Sequence, residues 1–217
     1  FLWTVILAGA IKLGLDPVLC AKLLGAASAF AALFLTYAIG ARLRPYRSAP
    51  AVAPWLLAST VVFSGYAVFG LETSFFVALL LGGTLLFLRE AGPLFQGSLL
   101  RDAPPSTAFP WSGLLFALAG LTRPEAPLFL GLLMLFLGRR FFARQNLLRG
   151  ALFVAPILAH LAFRHAYYGT WVPNTLGAKT GNLANLSDVA KHPKYAFVKG
   201  DITNRDAGRA AMAKGVT

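Results

Sequence analysis

Cys20 is the only cysteine in the chain and lies inside an apolar run, which excludes an intrachain disulfide, a CxxC redox pair and a thiolate zinc site. Acids are scarce as well: eight Asp and Glu stand against twenty Lys and Arg, for a net charge of +12. Three histidines are present, and His160 and His165 have no Asp, Glu or Cys close by in sequence, a poor ligand set for a metal. No Walker loop, GxGxxG turn or serine–histidine–acid arrangement is visible, so glycine-loop nucleotide binding and serine hydrolysis drop out. The chain opens at Phe1 with neither Met nor a basic leader, so it does not begin with a signal peptide and is expected to be a piece of something longer.

What remains is apolar. Fully 57% of residues are hydrophobic, only 13% are charged, and mean hydropathy is +0.66, the balance of an integral membrane protein rather than a soluble domain. An excess of positive charge in a soluble chain would suggest nucleic acid. Here the basic residues sit in short blocks between apolar runs, the pattern of loops beside anionic lipid, so the expected partner is the bilayer and not nucleic acid.

A span needs about 20 apolar residues. Phe1 to Leu15 is shorter, carries Lys12 and ends at Asp16-Pro17, a helix-start signal, so it reads as an interfacial or partly inserted helix. Val18 to Ala41 is a full span closed by Arg42, Arg44 and Arg47. Ala51 to Phe69 is the next and leads to Glu72; Thr73 to Leu88 returns, followed by the Arg89 to Thr107 connection with Arg101. Phe109 to Leu121 and Ala126 to Gly138 form a hairpin of short helices with Thr122-Arg123-Pro124-Glu125 at its tip, Pro124 suiting the first turn of the second helix. Leu147 to Arg164 is the last span, preceded by Arg139, Arg140, Arg144 and Arg149. Glycines inside the apolar spans, such as Gly82 and Gly83, read as helix-packing contacts.

The basic blocks fall on alternate turns, which places those turns in the cytoplasm. Glu72, Arg123, Glu125 and everything after Arg164 then face outward. Charges gathered on one face of a membrane protein mark a candidate site. Glu72 could accept hydrogen bonds from sugar hydroxyls or orient a cation; it could equally favour the positive start of the helix from Thr73. Arg123 either clamps a phosphate through its planar donor fork or closes the loop in an ion pair with Glu125 or Glu72. Arg164 and Lys179 are further candidates for phosphate contacts. His160 shares a helix face with Arg164 and reads first as a hydrogen-bonded core residue, while Tyr167, Tyr168 and Trp171 fit an interfacial aromatic belt.

Phe1-Leu2-Trp3-Thr4, Gly14-Leu15-Asp16-Pro17, Gly70-Leu71-Glu72-Thr73, Leu121-Thr122-Arg123-Pro124-Glu125, Tyr168-Gly169 with Pro173-Asn174-Thr175, and Ala178-Lys179 together resemble the bacterial polytopic glycosyltransferases of the GT-C superfamily. The group that includes mycobacterial terminal arabinofuranosyltransferases is the nearest likeness, over Phe1 to about Lys179. The resemblance implies an all-α polytopic membrane protein, a truncated GT-C-like helical bundle over residues 1–180 with a short polar tail of little independent fold over 181–217. It implies an inverting transfer of sugar from a polyprenyl-phosphate donor to an envelope glycan or lipid at the outer face of the bacterial inner membrane. Glu72, Arg123, Glu125, Arg164, Asn174 and Lys179 would form the donor-phosphate side. The catalytic base of the family, an acid in the first outer loop, would lie upstream of Phe1; Asp16 follows the motif and does not fill that place. No catalytic residue is assigned within the chain, which is therefore expected to be inactive alone. No cofactor is implied for it, although the full-length family leaves room for a divalent metal.

Beyond Lys179 the composition turns polar, with one strand-like run, Tyr195-Ala196-Phe197-Val198, and one or two helical turns in Arg205 to Lys214. Gly181-Asn182-Leu183, Asp188-Val189, His192-Pro193 and Phe197-Val198-Lys199-Gly200-Asp201-Ile202 resemble the early part of dTDP-glucose 4,6-dehydratases, extended short-chain dehydrogenases with a Rossmann fold. Asp201 and Ile202 would be vestiges of the adenine side of a cofactor site. Neither the glycine-rich loop nor the Tyr-x-x-x-Lys pair accompanies them, so NAD binding is not expected. A change of composition and of resemblance at one place predicts a junction of two coding pieces near Lys179 to Gly181. The alternatives to a transferase are a dehydratase fragment or fusion and a polytopic protein without catalysis, in which the outer charges are ion pairs.

Overall fold

The computed structural model describes residues 1–43, 49–91, 109–169 and 171. The chain divides into two units, Phe1–Tyr167 and Tyr168–Thr217. Only the first is described at length. The strand-like run at 195–198, the helical turns at 205–214 and the site residues Asn174, Lys179, Asp201 and Ile202 lie outside the described residues.

Every described element is helical: α1 (Leu2–Lys12), α2 (Pro17–Leu43), α3 (Ala49–Ser59), α4 (Val61–Val68), α5 (Glu72–Glu90), α6 (Trp111–Thr122), α7 (Ala126–Leu135), a 3-10 turn (Gly138–Phe142) and α8 (Arg144–Tyr168). By length and composition α2, α5 and α8 are long and apolar enough to cross a membrane. The junction between α1 and α2 follows from local chemistry. Gly14, at φ +74°, stops α1 by donating to Ile11 while Leu15 donates to Ala10, the double bond of a Schellman end. Asp16 then starts α2, its Oδ1 accepting from Val18 N at 2.8 Å with Pro17 in the first turn.

The expected single span from Ala51 to Phe69 is instead two helices, α3 and α4, bent by 69°. Thr60 is extended at the break, and three hydroxyls there hold carbonyls that an unbroken helix would bond through the backbone. Ser59 and Thr60 donate to the Leu56 carbonyl at 2.9 and 3.1 Å, and Ser64 donates to Ala58 at 3.0 Å. Side-chain bonds of this kind compete with helix continuation, and an apolar count over the segment cannot register them. Pro54, inside α3, removes one more backbone donor.

Two apolar clusters hold the bundle. Phe76, Leu80 and Phe87 of α5 meet Phe116 and Ala119 of α6 and Ala126, Leu130 and Met134 of α7. Ala29 and Ala32 of α2 meet Phe63 and Ala67 of α4. Close approach depends on missing side chains: a Cβ on Gly25 would stand 2.9 Å from the Ala67 carbonyl oxygen, and one on Gly83 would stand 3.0 Å from the Phe116 ring. Gly82 and Gly83 are thus packing positions, facing Leu115 and Phe116 of α6. Short α1 reaches Phe75 at the start of α5 through Trp3, and the Phe1 ring before it lies 3.9 Å from the His160 ring of α8.

Within this packing the Ser74 hydroxyl is fully buried in the first turn of α5 and has no hydrogen-bond partner. An unsatisfied buried hydroxyl costs about 1–3 kcal/mol. Ser74→Ala is therefore expected to leave stability unchanged or raise it by about 1 kcal/mol, read as the midpoint of thermal unfolding in detergent.

Candidate functional site

Polar groups collect at the two ends of α5, which by its 19 residues is roughly 28 Å long. At its start, Gly70 takes φ +71° so close to α2 that a Cβ there would stand 3.1 Å from Ala21, and Leu71 follows in extended backbone. Glu72 is thereby the first helical residue. Across from it, α6 ends at Thr122 because Arg123 precedes Pro124. The proline ring disfavours helical backbone at the residue before it, and Arg123 is extended at φ −141° and ψ 142°. Pro124 acts by ending α6 and aiming Arg123 rather than by filling the first turn of α7, which begins at Ala126, the start expected from sequence.

Arg123 Nε and NH2 both donate to Glu72 Oε1, at 3.3 and 3.1 Å. The guanidinium also stands 5.9 Å from the centre of the Phe76 ring, one turn further along α5. Both charged side chains keep about a third of their surface exposed, 34% for Arg123 and 32% for Glu72. One carboxylate oxygen and one guanidinium nitrogen are left outside this pair. Glu125 caps α7 only through its backbone, and its side chain is exposed. Of the six donor-side residues read from sequence, the structure pairs Glu72 with Arg123 and sets Glu125 on the same hairpin tip. Arg164 lies partly buried on α8, one turn after His160, and Asn174 and Lys179 are outside the described residues.

A second cluster closes the opposite end of α5, and sequence reasoning misses all of its contacts. Glu90 is the last residue of α5, an unfavourable place for an acid beside the negative end of a helix. It is nonetheless buried, because it caps α6 from outside: its Oε1 accepts from Ser112 N at 3.0 Å and its Oε2 from the Ser112 hydroxyl at 2.5 Å. Arg149 of α8 completes the group. Its NH2 donates to Glu90 Oε2 at 3.1 Å, its Nε to Ser112 Oγ at 2.8 Å and its NH1 to Asn146 Oδ1, and its guanidinium lies 4.6 Å from the centre of the Phe87 ring. Arg149 is wholly buried. It is therefore not one of the loop cations before the last span, as the sequence suggests: α8 begins at Arg144 and carries Arg149 in its second turn, facing the bundle. Arg42 adds a bond to the Leu88 carbonyl at 3.1 Å, a cation at the C-terminal end of α5.

The two ends differ in what they can do chemically. At the Glu90 end each polar group has its partners and water is excluded, so the arrangement suits stability. At the Glu72 end the charges are about one-third exposed and incompletely matched, which suits exchange with a ligand. Among the described residues no group of three or more His, Cys, Asp and Glu could hold a metal ion. Comparison of the chain with family models, with curated proteins and with solved structures finds no match.

Proposed function

We propose that this chain is a multi-pass protein of the bacterial inner membrane whose outer end holds the phosphate of a polyprenyl-phosphate sugar donor, as part of a GT-C-type transferase acting on an envelope glycan or lipid. One observation carries the reading: Arg123, its backbone held extended before Pro124, stands at the end of α5 opposite Arg42 and Arg149, about one-third exposed and only partly used by Glu72. A planar guanidinium donates well to phosphate oxygens, and a cation there stabilises a phosphate leaving group as charge develops on it. The likeness of the motifs around Glu72 and Arg123 to that transferase group supports the same assignment.

Binding of polyprenyl phosphate to the detergent-purified chain tests the reading. A charged hydrogen bond contributes about 1.5–3 kcal/mol, so Arg123→Gln is expected to weaken binding by roughly 10- to 100-fold, while Arg144→Gln, an exposed cation at the opposite end, leaves it unchanged. A second reading is favoured by the ion pair itself, which already gives Arg123 a partner. In a non-catalytic polytopic protein the pair would only close the hairpin tip, and Arg123→Gln would lower the unfolding temperature and leave phosphate binding as it was.

A further inference from the structure

Glu72 has two places to rest. In one it holds Arg123 through a single oxygen, leaving Oε2 outside the pair. In the other it lies against its own helix: α5 begins without a side-chain cap, so the first-turn N–H groups beside Glu72 are open to a carboxylate and the helix dipole favours one there. Both charged groups are about one-third exposed, which leaves room for the carboxylate to swing without unpacking α5 from α6. Arg123 has no such freedom in its backbone, because Pro124 holds it extended. Its side chain rests over the Phe76 ring, which is buried in the core.

We propose that Glu72 is a built-in competitor for the phosphate: a latch that occupies Arg123 in the empty protein and moves to the start of α5 when a phosphate oxyanion takes its place. The proposal rests on the reading of Arg123 as a phosphate contact. Like the phosphate, the latch carboxylate offers the guanidinium fork charged oxygen acceptors. Unlike it, the carboxylate is tethered, so the empty site keeps its cation paired at the membrane surface and resists weak anions. Glu125, exposed and without a side-chain bond among the described residues, is a second negative group on the same tip. A latch closed for about nine-tenths of the time lowers apparent affinity about tenfold.

Two substitutions open the latch by different routes. Glu72→Gln removes the charge, and Glu72→Asp keeps a charge at the first turn of α5 but draws it back by one methylene from Arg123. Each is expected to tighten polyprenyl phosphate binding about tenfold, and Arg123→Gln to abolish the gain when combined with either. Inorganic phosphate, titrated in parallel, separates the sources: tightening for both probes assigns the latch to the phosphate group itself, and tightening for polyprenyl phosphate alone assigns it to the lipid-anchored donor. Binding that falls with Arg123→Gln but is unchanged or weaker in both Glu72 variants overturns the latch and leaves the phosphate site standing. Binding that ignores Arg123→Gln overturns the phosphate reading and the latch with it. If Glu72→Gln fails to fold, Glu72→Asp alone decides between these outcomes.

Discussion

Arg149→Met destabilises the bundle by about 3–5 kcal/mol, the cost of leaving the Glu90 carboxylate buried with its cation gone. The size follows from the geometry at that end. Arg149 supplies Glu90 Oε2 with a charged bond, gives the Ser112 hydroxyl its donor and holds Asn146, so one substitution strips partners from three buried groups. Asn146 is itself tied to the Arg140 carbonyl at 2.7 Å, which links the start of α8 to the 3-10 turn before it. Glu90→Gln is expected to cost about as much from the other side, because it strands the guanidinium. Removing both charges together is the informative case. Each single variant leaves one buried charge without its partner, whereas the double variant Glu90→Gln with Arg149→Met leaves none, so it should recover a large part of the loss. Thermal unfolding in detergent of the four proteins gives the coupling directly. Additive losses would mean that the two residues contribute separately and that the knot is not a unit.

The helical layout is legible because its signals are strong and local. Long apolar runs, Asp16-Pro17 before α2, and Gly14 after α1 each act through backbone chemistry that needs no tertiary partner. Loop charge likewise gathers Glu72, Arg123 and Glu125 together, and the structure joins the first two across 51 residues of chain. What stays hidden depends on tertiary contact. Hydropathy averages Ser59, Thr60 and Ser64 away, whereas their three hydroxyl bonds accompany a 69° bend. Arg149 resembles a loop cation because it closes the run Arg139, Arg140 and Arg144, and only its place on the buried face of α8, which begins at Arg144, separates it from them. Glu90 belongs to no motif, yet an acid at the last residue of a helix, beside the negative end of its dipole, is a signal that it serves another element. Helix spacing then offers the partner, since Asn146 and Arg149 are three apart on one face of α8. Pro124 differs from its expected task for a related reason: the first turn of α7 is filled by Pro127, and the earlier proline governs the residue before it.

Gly113→Ala is expected to cost about 3 kcal/mol, at the upper end of ordinary overpacking. The added methyl would overlap the Arg149 carbonyl oxygen and come within 3.1 and 3.2 Å of the Arg149 carbonyl carbon and Cα. All three are backbone atoms of α8, so no rotamer can relieve the contact and the helix itself has to move. That displacement falls on the residue whose side chain closes the Glu90 knot, and Gly113 directly follows Ser112, the third member of it. The same logic separates this glycine from Gly131 and Gly150, where an added Cβ meets nothing within 4 Å. Alanine there is expected to be neutral or slightly favourable, since glycine inside a helix is disfavoured by about 0.5–1 kcal/mol. Combination with Arg149→Met tests the cause. If Gly113→Ala acts by pushing α8 away from α6 and so breaking the knot, the double variant loses little more than either single one in thermal unfolding. If the two losses add in full, the backbone contact at Gly113 and the buried charges hold α8 independently, and the close approach is a packing feature with no bearing on the ion pair.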